Sequence, residues 1–402
     1  MTSNVFVISR QCRAIAAVTL GDPELFELVD ITLNDRFTEL ASGSLDVYTK
    51  AAPTMGRDLH ERTSGVGFTF SVAHLYGGVA FGGNEFFVQC ADDLNTQGDC
   101  SGVQVCVARG TTYASVVELT LPAAHSVFVS TDEIVDAFLE GRCNVIAGSN
   151  WDLTWTLIAY EIFGPGQAIG KILSYESLSL VTRDDDPHWS DIVNYVIQSL
   201  ITAEAKGITQ SMAQDFVSAS NFELGGSEFV FQTAIAAVGN YGEMYERHYQ
   251  ELLPRSEINL INVNGTTGLL RAPSFEGLSD RGPEPVAGGE LEVITRNGHL
   301  TCGITARRPG FAEFNSTSGR WSGLDVDYCR ALASSLFFGR VTDKTLIFQE
   351  FDRPEEGHSA LANSTVDVLC GQRVSLQGDT PRHATGEGFT FSLPYFCDAP
   401  DR

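Results

Sequence analysis

Apolar and polar positions alternate along the chain in strand-sized and helix-sized stretches. Leu291-Glu292-Val293-Ile294 reads as the end of a helix, stopped by Asn297-Gly298. Leu300-Thr301-Cys302-Gly303-Ile304 follows as a short buried strand. Gly323-Leu324-Asp325-Val326-Asp327-Tyr328 opens a helix, with Asp325 placed to cap it or to complement its N-terminal dipole. Ala331, Leu332, Ser335 and Leu336 continue the helical period. Residues 346–348 form a strand, a helix then carries His358, Leu361 and Ala362, and residues 366–369 form the next strand. Earlier in the chain, a strand over 103–107 leads into the turn Gly110-Thr111-Thr112, and an amphipathic helix over 131–139 leads into a strand over 144–147. Residues 191–205 form a strong helix with Ile192, Val193, Val196, Ile197 and Leu200 on one face. Strands that alternate with helices predict parallel pairing with helices on both faces of a sheet, an α/β fold.

A long internal repeat organises these elements. Residues 40–71 match residues 361–392 at a constant offset of 321, with 11 of 32 positions identical and no gap. Ala41-Ser42-Gly43-Ser44-Leu45-Asp46-Val47 faces Ala362-Asn363-Ser364-Thr365-Val366-Asp367-Val368, and Gly67-Phe68-Thr69-Phe70-Ser71 returns as Gly388-Phe389-Thr390-Phe391-Ser392. A period above 300 residues is a whole module rather than a solenoid unit. The clearest linker, 274–289, is rich in Gly, Pro, Glu and Ser and separates the two copies.

Composition narrows the function classes. The 402 residues carry 26 basic and 51 acidic side chains, a formal charge of −25 that repels nucleic-acid backbones and anionic lipid. No stretch approaches the roughly 20 apolar residues of a spanning helix. Residues 1–20 carry Arg10 and Arg13 inside their apolar part and make a poor signal peptide. None of the nine cysteines forms a Cys-x-x-Cys pair, so metal binding is weakly supported and disulfides in an oxidising compartment fit better. Cys90 and Cys100 flank a polar loop that a disulfide could close. There is no Gly-x-Ser-x-Gly, no phosphate loop and no His-Glu-x-x-His, and the eight histidines are scattered, so no catalytic residue and no cofactor is expected.

Several stretches resemble a known family. Cys302-Gly303-Ile304, Pro309-Gly310-Phe311 and Trp321-Ser322-Gly323-Leu324-Asp325-Val326-Asp327-Tyr328-Cys329-Arg330-Ala331 resemble the opening of the general L-amino-acid-binding proteins, the periplasmic components of polar amino-acid ABC transporters. Asn34-Asp35-Arg36-Phe37-Thr38-Glu39-Leu40, Asp184-Asp185 with Trp189, and Gly239-Asn240-Tyr241-Gly242-Glu243-Met244-Tyr245-Glu246-Arg247 resemble later parts of the same family. The resemblance implies a type II periplasmic-binding-protein fold, two α/β lobes with a ligand cleft between them, here in a circularly permuted order or as a slice of two tandem modules. The corresponding divisions are an N-terminal tail 1–30, a first repeat copy of lobe one 31–84, lobe two 85–158, a return into lobe one 159–275, a linker 276–290, and the first half of lobe one 291–402. It also implies disulfides Cys106–Cys143 and Cys302–Cys329.

The same resemblance implies extracytoplasmic binding of an L-amino acid by a monomer, for delivery to the membrane subunits of an ABC transporter, with no enzymatic step. A ligand-sensing receptor module and a non-binding relic of a duplicated gene are the alternatives. Phe311 falls where the family places its stacking aromatic; Arg57 matches the arginine that binds the ligand carboxylate once one residue is deleted upstream, and in the second copy Gly378 stands at the aligned position with Arg373 the arginine nearby. Gly110, Thr111 and Thr112 match the lobe-two turn that donates to that carboxylate. The ammonium-binding aspartate falls at Ser149, with Asp152 as the neighbour able to replace it. Lys50-Ala51-Ala52-Pro53-Thr54 stands where the family has a loop rich in Asn and Thr donors.

Overall fold

The computed structural model describes residues 3–32, 35–53, 67–95, 98–159, 167–216, 222–224, 227–250, 254–263, 268–272, 290–305, 309–337, 339, 341–371, 389 and 391–392. Two compact units result: one gathers residues 1–217, 230–272 and 398–402, the other 218–229 and 273–397.

The first unit opens with α1 (Ser3–Thr19) and α2 (Arg36–Ser42). Its strands are β1 (Tyr48–Ala51), β2 (Phe68–Phe70), β3 (Leu75–Asn84), β4 (Val105–Ala108), β5 (Ser126–Val129), β6 (Val145–Ser149), β7 (Gln167–Ile169) and β8 (Ser174–Arg183). They form one sheet in the order β1-β8-β3-β6-β4-β5, with β2 also on β8 and β7 also on β3. The ten-residue strands β3 and β8 pair antiparallel and join two sets of neighbours: β1 and β2 at one end, and the parallel strands β4, β5 and β6 at the other. Every residue of β4 is buried, as expected of a short apolar run inside a parallel sheet.

Helices α3 (Glu85–Asp92), α4 (Thr112–Thr120), α5 (Ile134–Leu139) and α6 (Asn150–Ala159) follow the strands. One core gathers Phe81, Val88, Val105, Val107, Val117 and Val145. Disulfides Cys90–Cys100 and Cys106–Cys143 lie in this part of the unit. The return is carried by α7 (Pro187–Ala205), α8 (Gln232–Val238) and α9 (Tyr241–His248). Pro187 starts α7, where its missing N–H costs nothing, and the Asp186 carboxylate accepts from the Trp189 N–H at 3.1 Å.

Residues 1–30 are more than the tail expected of them. Ala14, Ile15, Ala16, Ala17 and Val18 of α1 are buried, and the Thr233 hydroxyl at the start of α8 donates to the Ala17 carbonyl at 3.0 Å. Small side chains let this helix pack closely.

The second unit contains the hairpin β9 (Phe222–Leu224) and β10 (Ser227–Phe229), then α10 (Glu290–Asn297), β11 (Leu300–Thr305), the hairpin β12 (Glu313–Asn315) and β13 (Arg320–Ser322), α11 (Leu324–Leu336), β14 (Leu346–Phe351), α12 (Pro354–Ala362) and β15 (Val368–Leu369). Strands β14, β11 and β15 lie side by side in that order, all parallel. Leu300, Cys302, Ile304, Val326, Cys329, Ala333 and Leu346 form its core, and Cys302 and Cys329 are joined. Cys370 brings a third sulfur within 3.5 Å of Cys329 Sγ, and burial, reinforced by the Asp325 charge, pushes its thiol up to about 12. The linker 274–289 lies outside the described residues.

Asp325 does not cap α11. The capping position is Gly323, at φ +123°, where a Cβ would stand 2.2 Å from the Phe311 carbonyl oxygen. Only a glycine fits there, so the cap has no side chain, and Asp325 is carried into the first turn and fully buried.

The two repeat copies fold alike, one in each unit. After α2 the Ser44 N–H bonds the Glu39 carbonyl at 3.1 Å and Gly43 bonds Leu40 at 3.2 Å; after α12 the equivalent Thr365 and Ser364 bond Ala360 and Leu361 at 2.8 and 3.1 Å. Phe37 packs on Phe68 with ring centres 5.1 Å apart, and the equivalent His358 and Phe389 stack at 5.5 Å. The copies differ at the left-handed residue that ends the helix: Gly43 at φ +80°, but Ser364 at φ +56°. A side chain there costs about 1 kcal/mol, part of which the flexibility of glycine in the unfolded chain returns. Ser364→Gly is therefore expected to stabilise the second unit by about 0.5–1 kcal/mol. Denaturant midpoints of the two proteins check it, and an unchanged or lowered midpoint would show that Ser364 is relaxed.

Candidate ligand-binding site

A polar cluster forms in the first unit where parallel strands β4 and β6 end, the position at which α/β sheets present groups to ligands. Beyond β4 the chain turns through Gly110, at φ +69°, into α4. Thr111 caps that helix: its hydroxyl accepts from the Ala114 N–H at 3.3 Å and donates to the Ala108 carbonyl at 2.7 Å. Its side chain is thus occupied by the turn. The N–H groups of Thr112 and Tyr113 have no intrahelical acceptor, as for any first turn.

Strand β6 ends at Ser149, which is buried, and α6 begins at once. The short step brings Ser149 and Asp152 together. The Ser149 hydroxyl donates to Asp152 Oδ2 at 2.8 Å, and the Asp152 N–H donates back to Ser149 Oγ at 3.1 Å. Tyr113 on α4 donates its hydroxyl to the same carboxylate oxygen at 3.3 Å. Lys50 on β1 places its ammonium 2.6 Å from Asp152 Oδ1. A carboxylate has about four acceptor positions, and three donors already reach this one.

The electrostatics follow from this packing. Burial opposes the charge on Lys50, but the Asp152 carboxylate outweighs it and the lysine pKa is raised. Burial likewise opposes ionisation of Asp152, and Lys50, Ser149 and Tyr113 together hold its pKa below the ordinary value. Burial first, then the Asp152 charge, raises the Tyr113 hydroxyl. Tyr249 is pushed up to about 12, chiefly by burial.

An aromatic wall stands behind α6. Trp151 meets Tyr249 edge-on at 5.2 Å and Tyr245 at 6.4 Å, and Tyr245 lies 5.3 Å from Tyr249. Arg255 spans the faces of Tyr241 and Tyr245 at 5.0 and 5.5 Å and forks onto Glu204. Asn150 Oδ1 accepts from the Gly78 N–H at 3.0 Å and ties the start of α6 to β3.

Arg36, at the start of α2, is a further cation near Tyr113. The residue is 6% exposed, and its guanidinium lies over the Phe37 ring at 4.9 Å. Among the described residues no carboxylate pairs with it. Burial lowers its pKa, which the nearby Tyr48 and Tyr113 partly restore.

Of the residues expected from the sequence, the first unit assembles Gly110, Thr111, Thr112, Ser149 and Asp152 in one region. Phe311 belongs to the second unit, where its carbonyl accepts from the Asp325 N–H at 3.1 Å. Arg57 and Arg373 lie outside the described residues. Lys50, Tyr113 and Arg36, which the sequence did not single out for the site, stand in or beside this cluster. Lys50 carried the one signal that could have found it, a charged donor in place of the neutral donors of the resembled loop.

No family model matches the chain. The general L-amino acid-binding periplasmic protein AapJ of Rhizobium johnstonii is 28% identical over 263 residues, covering 59% of this chain and 73% of that protein. The glutamate/glutamine/aspartate/asparagine-binding protein BztA of Rhodobacter capsulatus is 27% identical over 287 residues, covering 66% and 82%. Among solved structures, an ABC transporter/periplasmic binding protein from Brucella ovis with glutathione bound superposes with a TM-score of 0.53 at 24% identity, over 67% of this chain and 89% of that one. The fold is thus an α/β architecture with mixed sheets resembling the type II periplasmic binding proteins.

Proposed function

We propose that this chain is an extracytoplasmic binding protein for a small polar solute of the amino-acid class and delivers it to the membrane subunits of an ABC transporter. The observation that carries the reading is the convergence of Lys50, Tyr113, Ser149 and Asp152 beside the first turn of α4. Binding a small carboxylate needs such groups: donors at a helix start and charged partners held partly out of water. The relatives named as amino-acid-binding proteins support the solute class. Three disulfides among the described residues support an oxidising compartment.

Arg57 remains the proposed second anchor for the carboxylate, and Phe311 and Arg373 are proposed for a site of the same type built on the second repeat copy. Two copies that fold alike in separate units favour two consecutive partial modules over one permuted module. The test is calorimetric titration of the purified chain with L-amino acids, 2-hydroxy acids and dicarboxylates. Micromolar binding of one of them, lost in Arg57→Ala, is the expected result. Absence of heat with every one, from a chain that still melts cooperatively, would overturn the reading.

A further inference from the structure

In the proposed site the Asp152 carboxylate is already neutralised from within the chain. Asp152 accepts the Lys50 ammonium at 2.6 Å on one oxygen, and Ser149 at 2.8 Å and Tyr113 at 3.3 Å on the other. The Lys50 side chain is 26% exposed and that of Asp152 36%, so the pair is partly withdrawn from water. The remaining groups favour an anion: Arg36 has no carboxylate partner among the described residues, and the first-turn N–H groups of Thr112 and Tyr113 have no intrahelical acceptor.

We propose that Lys50 is a tethered cation that fills the ammonium position of this site, so that the site takes small carboxylic acids lacking an α-ammonium group, 2-hydroxy acids being the type. The inference rests on the reading above that this cluster is the ligand site. An amino acid placing its ammonium on Asp152 would have to share that carboxylate with the Lys50 ammonium, setting two like charges against one anion. A 2-hydroxy acid of the same skeleton brings the carboxylate and leaves the Lys50–Asp152 pair intact. Lys50 is thus a specificity-determining residue. Its equivalent in the second repeat copy is Gly371, at the constant offset of 321, so the second copy has no such cation at this position.

The experiment uses the full chain and three matched pairs by calorimetry: L-alanine and L-lactate, L-leucine and L-2-hydroxyisocaproate, L-glutamate and L-2-hydroxyglutarate. In a site with an available carboxylate, replacing the ammonium by a hydroxyl weakens binding roughly 10- to 100-fold, the worth of a charge-assisted hydrogen bond. Here the hydroxy acid of the best pair is expected to bind as tightly as the amino acid or more tightly. Lys50→Met, which exposes Asp152 to an incoming ammonium, is expected to tighten the amino acid by about 10-fold and to reverse the order. The wild-type comparison stands by itself if Lys50→Met does not fold. Wild-type protein that prefers the amino acid 10-fold or more would overturn the inference and leave the binding reading intact. Absence of binding to any of the six compounds would overturn both.

Discussion

Replacing Cys106 and Cys143 together by alanine is expected to cost the first unit about 4 kcal/mol, the largest single effect on stability that the structure points to. The two sulfurs close a loop of 37 residues in sequence separation, and the chain-entropy relation for a loop of that length gives this value. The loop runs through β4, α4, β5 and α5 and returns to the foot of β6, so the bond pins together the strands whose ends carry Thr112, Tyr113, Ser149 and Asp152. Both cysteines are buried, in a cluster with Val129 and Ala137. Guanidinium unfolding of the oxidised wild type and the double variant measures the difference. A change below about 1 kcal/mol would mean that the unfolded chain gains little freedom when the bond is absent. Because the cross-link and the site share one sub-sheet, the same variant is expected to weaken ligand binding before it unfolds.

Stability is also expected to fall by about 3 kcal/mol between pH 6.5 and pH 4 because of one residue, His74. Its side chain is 6% exposed, just before β3, and Nδ1 has no hydrogen-bond partner among the described residues. Burial pushes its pKa from 6.5 down to about 4. Above pH 6.5 the imidazole is neutral in the folded and the unfolded chain, and pH has no effect through it. Below pH 6.5 the unfolded chain takes up a proton that the folded chain refuses, so stability declines as pH falls until the folded group protonates near pH 4. The separation of the two values, at about 1.4 kcal/mol per pH unit, sets the size of the loss. Urea midpoints across this range, in the wild type and in His74→Leu, isolate the contribution. Parallel curves for the two proteins would show that His74 protonates without penalty.

The alternation of apolar runs with amphipathic stretches made the α/β class legible, because a strand buried on both faces must be apolar throughout and a helix must show its period. Strands β11 and β14 and helices α7, α10 and α12 stand close to where the pattern places them. The element expected over 131–139 begins later, at Ile134, and β15 is only two residues long, since hydrogen-bond partners decide where an element ends. The repeat was legible as well. That both copies build the same helix end was not, because the glycine at 43 has become a serine at 364.

For the candidate site, the resemblance singled out the turn at Gly110 and the pair Ser149 and Asp152, residues close in sequence within each group. Lys50 and Asp152 are 102 residues apart, and nothing in either neighbourhood names the other. That pairing depends on the antiparallel crossing of β3 and β8, which brings β1 to the ends of β4 and β6. The sequence by itself determined the fold class, the repeat and the local turns, since these follow from periodicity and short-range sterics. Only the tertiary structure decided which charges meet, because an ion pair is set by distances through space that a linear pattern does not encode.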